Sequence, residues 1–382
     1  MRVVIDGSGI RAGGGITHLS ELLGAVDPEE FSFSTIQVWA SKMTLSRLPK
    51  GGVIQHAHHP ALEQNIALRT LWQRRLLPRS LDPDRDLLFV PGGLSLSPYG
   101  CMVSMAQNLL PFDEVEQERF ANPRSRLRYQ LLRWGQLRTF EQSGGAIFVS
   151  EYLQDAVAQH SAQDLPPSRV IHHGLNQRFL SSPKVQKRID DYSLDKPFTL
   201  LYVSVVNVYK HQWNVVEAVA KLRESGSPIA LELVGPAQPS SLERLNESIS
   251  RHDPEGKFVT YRGAIPFEEL HKAYQAADGF VFASSCESFG QILLEAMASG
   301  LPIASSNMSS LPEVLGDTGL YFDPLKPDSI ADAIRTLLVD VELRQTLASA
   351  AFERAKTFSW ERCARETFGF LREVFDARQG RI

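Results

Sequence analysis

Two glutamates, Glu287 and Glu295, stand eight residues apart in the stretch "CESFGQILLEAMASGLP" at 286–302. Eight helical steps of about 100° leave them roughly 80° out of line, so one continuous helix would not align them. The spacing places Glu287 on a loop and Glu295 about two turns into the helix that follows. The backbone N–H groups of Phe289, Gly290 and Gln291 would then open that helix, and a helix N-terminus attracts anions. Gly290 lets a phosphate approach the backbone. A carboxylate just ahead of such a terminus is badly placed for phosphate but well placed to accept hydrogen bonds from sugar hydroxyls. Glu295 could hold a second pair of hydroxyls, such as those of a ribose.

Other clusters carry weaker chemistry. "HAHH" at 56–59 has no second set of residues at metal-ligand spacing, and a surface loop is expected there. The glycine-rich loop 12–15 follows the first strand but lacks the dinucleotide-binding spacing, so either a turn or a binding loop fits it. His18, just beyond it, reads as structural. His172 and His173 precede Gly174 and are candidates to line a cleft. The stretches 69–79 and 124–140 interleave arginine with leucine and tryptophan. They suit either an interfacial helix on a lipid surface or a solvated face on a helix packed by its leucines.

The elements that must position these groups follow from apolar patterning. "RVVID" (2–6), "LLFVPGG" (87–93) and "GAIFVS" (145–150) read as buried parallel strands, with a helix beginning at "ITHLSELLGAV" (16–26). From about residue 198, strands and helices alternate regularly through "LPIASS" (301–306), which argues for a doubly wound parallel sheet. The polar segment 180–197 reads as an interdomain linker. The fold class expected is α/β, with two Rossmann-like doubly wound sheets facing across a cleft. The expected domains are 1–180 and 181–382, and the last helix, about 361–378, is a candidate to cross back to the first domain.

Composition excludes several classes. The 382 residues include 43% hydrophobic and 22% charged side chains with a net charge of −4, which is globular and gives no sign of nucleic-acid binding. Three scattered cysteines suit a reducing cytoplasm. "MRVVIDGSGI" lacks the apolar core of a signal peptide, and no apolar run reaches the ~18 residues of a membrane span.

The stretch "SCESFGQILLEAMASGLPIASSNMSSLPEVLGDTGLYFDP" (285–324) closely resembles the donor-site signature of retaining GT-B glycosyltransferases of family 4: Glu, seven residues, Glu, then Gly-Leu-Pro and Pro-Glu-Val. The resemblance extends through "LLYVSVVNVYKHQWNVVEAV", "LELVG", "FVTYRGAIPFEELHKAYQAADGFVFAS" and "FSWERCAR", covering most of 198–375. The N-terminal half matches more loosely, through "DGSGIRAGGGITHLSELL", "NLLPFDEVEQERF", "AIFVSEYLQDAV" and "VIHHGLNQRF".

The resemblance implies that Glu287 and Lys210 are the catalytic residues. Glu287 would bind donor-sugar hydroxyls and Lys210 would pair with the diphosphate. Ser288, Phe289 and Gly290 would meet the sugar and diphosphate, Glu295 the ribose, and Ile265 the nucleobase through its backbone. Gly14 and Gly15 would pack against the diphosphate and acceptor. Asn207 belongs to the donor-binding set, although it and Val205 stand where many relatives carry Arg or Lys; His211 or Arg11 is then a candidate to assist Lys210. Gln107 and Asn108 stand where many relatives carry a His. An amide bonds a hydroxyl but cannot act as a base. With His173 they form the acceptor-side candidates.

The implied reaction moves a hexose from a GDP- or UDP-linked donor to a hydroxyl of a growing glycan, with retention and with neither metal nor cofactor. A bacterial surface polysaccharide or lipopolysaccharide is the expected product. The expected partners are the nucleotide sugar, a glycan or lipid-linked glycan acceptor, and a membrane surface met through 69–79 and 124–140. The expected place is the cytoplasm, or the inner face of the cytoplasmic membrane. A nucleotide-sugar 2-epimerase and a non-catalytic sugar-nucleotide binding protein are the alternatives.

Overall fold

The chain begins with an apolar strand whose central residues Val3, Val4 and Ile5 are fully buried, and every strand beside it runs in the same direction. Strands covered on both faces by helices have no polar face to show, which is why they read as unbroken apolar runs. The structure is a computed structural model and describes residues 1–11, 13–27, 29–120 and 123–380. Ala12 of the glycine-rich loop and the last two residues of the expected second domain lie outside the described residues.

The chain divides into two units, Met1–Gly174 with Ser359–Ile382, and Leu175–Phe358. The first is built on β1 (Arg2–Asp6), β2 (Thr35–Trp39), β3 (Ile54–Ala57), β4 (Asp86–Val90), β5 (Met102–Ala106), β6 (Gly145–Phe148) and β7 (Ser168–Val170). Their order in the sheet is β3-β2-β1-β4-β5-β6-β7, all parallel. The last helix, Trp360–Arg378, belongs to this unit. Ser359 caps it by accepting from Arg362 N at 3.1 Å, and Phe368 packs against Phe33 with ring centroids 5.6 Å apart.

The second unit holds β8 (Phe198–Val203), β9 (Ile229–Val234), β10 (Val259–Tyr261), β11 (Gly279–Phe282), β12 (Ile303–Ser306) and β13 (Leu320–Phe322). Here the order is β10-β9-β8-β11-β12-β13, again all parallel. The order reverses between β8 and β11. In a doubly wound sheet, the carboxyl ends of the two strands flanking that reversal form the crevice where ligands bind.

Two expectations change. Residues 175–180 pack within the second unit, where Leu175 N bonds Phe358 O at 3.1 Å and Ser299 Oγ donates to Phe179 O at 3.1 Å, so the division falls at Gly174. The segment read as a linker is instead a strap on the same unit. Ser181 N bonds Ala298 O at 3.0 Å, Lys184 Nζ donates to Ala277 O at 2.8 Å, and the buried guanidinium of Arg344 donates to Lys187 O. Gly300 closes helix Gln291–Ala298 at φ 65, where a Cβ would stand 2.6 Å from the Pro183 backbone of that strap.

Candidate active site

The loops after β8 and β11 meet at the reversal of the second sheet. The first, 204–211, brings Lys210; the second, 283–290, brings Glu287. Lys210 Nζ forms an ion pair with Glu287 Oε1, with the lysine side chain only 5% exposed and the glutamate 17%. The ammonium also lies 5.0 Å from the ring centroids of Tyr209 and of Phe282, a cation–π setting in a partly dry pocket. Both backbones are held. The Tyr202 hydroxyl donates to Lys210 O. Glu287 N donates to Ser309 Oγ at 3.0 Å, and Ser310 Oγ donates to Glu287 O at 3.0 Å. Asn207 Oδ1 accepts from Val208 N at 2.7 Å, capping the short turn that ends at Lys210.

Beyond Glu287, Ser288 is half-buried and Phe289 turns its ring inward, edge-on to Phe358 with centroids 5.9 Å apart. Gly290 takes φ 96 and caps helix Gln291–Ala298; a Cβ there would come within 2.7 Å of Leu311 Cδ2. A side chain at this position would meet both a disfavoured backbone conformation and a clash. Glu295 lies inside that helix and is buried, accepting from the Tyr274 hydroxyl at 3.0 Å. Burial pushes its carboxyl up to about 8, against the pull of the Tyr274 hydrogen bond and the Arg178 charge. Ile265 sits half-buried on the loop after β10, two strands from β8 at the same sheet edge.

The first unit has its own reversal between β1 and β4. Gly14 and Gly15 open helix Gly14–Gly24 directly after β1 and the glycine-rich loop. Arg11 donates to the carbonyls of Leu62 and Gln64, so it is engaged by its own loop region. Gln107 Nε2 donates to Pro91 O at 3.0 Å, which leaves its amide tied to the loop after β4. Asn108 is exposed and closes a local turn onto Leu110 N at 3.2 Å. His173 Nδ1 lies 3.0 Å from His18 Nδ1, and both rings pack near Trp360. Burial lowers the pKa of both histidines, to about 4 for His18. A nitrogen-to-nitrogen hydrogen bond of this kind joins neutral rings, one donating and one accepting.

His211, expected as a candidate cation for the diphosphate, turns Nε2 to Ser285 Oγ at 2.9 Å inside the protein. His56 is not in a loop: it lies in edge strand β3 and meets Pro49 O at 2.8 Å, while His58 pairs with Glu63 at 3.0 Å and His59 caps Ala61 N at 3.1 Å. Among the described residues, no group of three or more His, Cys, Asp or Glu side chains is placed to hold a metal ion. The residues that sequence reasoning misses are the supports: Tyr202, Tyr274, Ser285, Ser309 and Ser310. Each acts through a hydroxyl, and nothing in a run such as "SSNMSS" distinguishes a supporting serine from a solvated one.

Residues 185–354 match the family described as Glycosyl transferases group 1. Over 119 residues the chain is 42% identical to the O-antigen chain mannosyltransferase B of Escherichia coli, covering 31% of each protein. Over 229 residues it is 28% identical to the D-inositol 3-phosphate glycosyltransferase of Paenarthrobacter aurescens, covering 58% of this chain and 55% of that one. The chain thus spans from under a third to just over half the length of these relatives. The crystal structure of Anabaena Alr3699/HepE in complex with UDP and glucose superposes with a TM-score of 0.71 at 17% identity, covering 98% of this chain and 100% of that one. That likeness establishes the fold, two parallel-sheet α/β units of the GT-B kind. Residues 185–354, which match the glycosyl transferases group 1 family, contain the Lys210–Glu287 pair and buried Glu295.

Proposed function

We propose that the protein is a retaining glycosyltransferase of family 4. It transfers a hexose from a GDP- or UDP-linked donor to a hydroxyl of a growing bacterial surface glycan. The observation that carries this reading is the pairing of Lys210 with Glu287 at the carboxyl ends of β8 and β11. A diphosphate arriving there would take the ammonium, and Glu287 would be released to accept from hydroxyls of the donor sugar. As the glycosidic bond breaks, the diphosphate gains negative charge. Lys210 and the first turn of helix Gln291–Ala298 supply positive potential at that point. Glu295 and Tyr274 would face the ribose, and the loop after β10 with Ile265 the base. On this reading the second unit holds the donor and the first, with Gln107, Asn108 and His173, the acceptor. The leaving phosphate oxygen would take the acceptor proton, since an amide at 107 or 108 cannot.

Contact with a membrane belongs to the same proposal. Leu127, Leu131 and Trp134, at helical spacing on helix Pro123–Gln142, are each more than half exposed. Leu68 and Leu71 are exposed on helix Ile66–Arg75. Both helices touch Leu94, through Gly135 and Gln73. Residues 66–80 carry four arginines and no acid, and 123–142 carry five arginines and one glutamate, in a chain of net charge −4. A surface that is both apolar and cationic suits an anionic lipid face, where a lipid-linked acceptor would be found. Among the described residues no helix is long and apolar enough to cross a membrane.

The reaction is tested by nucleoside diphosphate release from UDP- and GDP-hexoses, with and without oligosaccharide and polyprenyl-linked glycan acceptors. Acceptor-dependent release that Glu287→Ala abolishes is the expected result. Donor binding without release under any acceptor would contradict a transferase.

A further inference from the structure

The turn between β8 and helix Gln212–Glu224 contains a residue in a backbone conformation that glycine ordinarily supplies. His211 has φ 50 and ψ 32, in the left-handed region disfavoured for a residue with a Cβ. Its ring is nonetheless buried, standing edge-on to Trp213 at 5.9 Å between centroids. Nε2 meets Ser285 Oγ at 2.9 Å. Ser285 in turn reaches back to the same turn: its N donates to Tyr209 O at 2.9 Å and its Oγ to the same oxygen at 3.3 Å. The hydroxyl has a single proton. Donated to Tyr209 O, it leaves Oγ to accept from His211 Nε2–H, so the groups form a chain from imidazole to hydroxyl to carbonyl.

The position of this chain gives it meaning. Tyr209 and His211 flank Lys210, and Ser285 stands two residues before Glu287. The strut therefore joins the two loops that carry the two halves of the ion pair. An outlying backbone conformation persists where its surroundings over-determine it, and such strain gathers at functional sites.

We propose that His211 is a positioning residue: through Ser285 it fixes the Lys210 loop against the Glu287 loop, so that the ammonium stands where a nucleoside diphosphate is bound. It does this through a hydrogen bond within the protein, not as a second cation on the phosphates. The proposal rests on the reading of Lys210 as a diphosphate ligand.

The test is calorimetric titration of UDP and of GDP into wild type, Lys210→Ala, Ser285→Ala, His211→Gly, His211→Asn and the Ser285→Ala/His211→Gly double variant, with melting temperatures alongside. At least one diphosphate is expected to bind wild type and not Lys210→Ala. Ser285→Ala and His211→Gly should each weaken that binding about 3- to 10-fold, the worth of one hydrogen bond. The double variant should be no weaker than the weaker single one, because both break the same strut. His211→Asn, which tolerates the left-handed region but is too short to reach Ser285 Oγ, should bind no better than His211→Gly. Ser285→Ala removes one hydroxyl and should do so at a nearly unchanged melting temperature, whereas a purely structural role would lower melting and leave affinity intact. That pattern, or wild-type affinity in both Ser285→Ala and His211→Gly while Lys210→Ala fails to bind, overturns the proposal. If neither diphosphate binds wild type, or Lys210→Ala binds as well, the donor-site reading falls and this inference falls with it.

Discussion

Lys210 and Glu287, far apart in the chain, meet as an ion pair in which the lysine is almost wholly buried and the glutamate largely so. Removing one member leaves the other charged and poorly solvated, which costs about 3 kcal/mol or more. Lys210→Ala and Glu287→Ala are therefore expected to lower the stability of the second unit by about that amount in urea titrations. A Lys210→Met/Glu287→Leu double variant should recover most of it while losing ligand binding altogether. Single variants as stable as wild type would show that the pair is solvated in solution.

Glu295 gives the second unit a pH dependence of unusual sign. Its carboxyl titrates near 8 when folded against 4.5 ordinarily, so between those values the folded state holds a proton that the unfolded state has released. Its contribution is fully present below about pH 4.5 and is lost progressively as pH rises to about 8. Glu295→Gln should remove that loss. Melting of the variant relative to wild type is expected to improve steadily from pH 5 to pH 8, by an amount on the order of a few kcal/mol. A constant difference across that range would contradict the buried, protonated state.

His18 acts in the opposite direction and in the other unit. Burial lowers its pKa to about 4 from 6.5, so the unfolded state takes up a proton first as the solution is acidified. Stability is fully present above pH 6.5 and falls as pH drops toward about 4. His173, also shifted downward, adds to the same loss. His18→Phe should flatten part of the acid limb of the melting curve. An acid limb unchanged in that variant would place the titration elsewhere.

The apolar and cationic face of the first unit predicts binding to vesicles. Sedimentation with vesicles rich in phosphatidylglycerol is expected at low salt, weakening as salt rises. Leu131→Glu with Trp134→Glu should abolish it without changing the melting temperature, since both side chains are already exposed. Equal binding to neutral vesicles, or none to anionic ones, would contradict the assignment.

Much of the second unit is legible in its sequence because β8 and β11 are buried nearly throughout and read as apolar runs. Helix Pro239–His252 is not, since it buries little beyond Ser241 and Leu245 and otherwise shows a polar face. The 181–197 strap looks like a linker because backbone carbonyls and Arg344 hold it, and neither leaves a mark in residue type within the strap. At the edge of the first sheet, His56 in β3 breaks the apolar pattern and reads as loop. In the site, Glu287 and Glu295 are legible by type and spacing, and Lys210 through the family resemblance. Their partners Tyr274, Ser285 and Ser309 are not, because hydroxyl side chains are common everywhere and become specific only through geometry.

The central claim is that Lys210 and its neighbours form a diphosphate site. It is tested most directly by the melting temperature of wild type and Lys210→Ala against UDP, GDP, ADP, TDP and CDP and their sugar conjugates. A ligand at about 100 times its dissociation constant adds about 2.7 kcal/mol, an easily measured rise. The account predicts that a UDP or GDP series raises wild-type melting while Lys210→Ala responds far less. A wild type that responds to none of them, or a Lys210→Ala variant that responds equally, would contradict it.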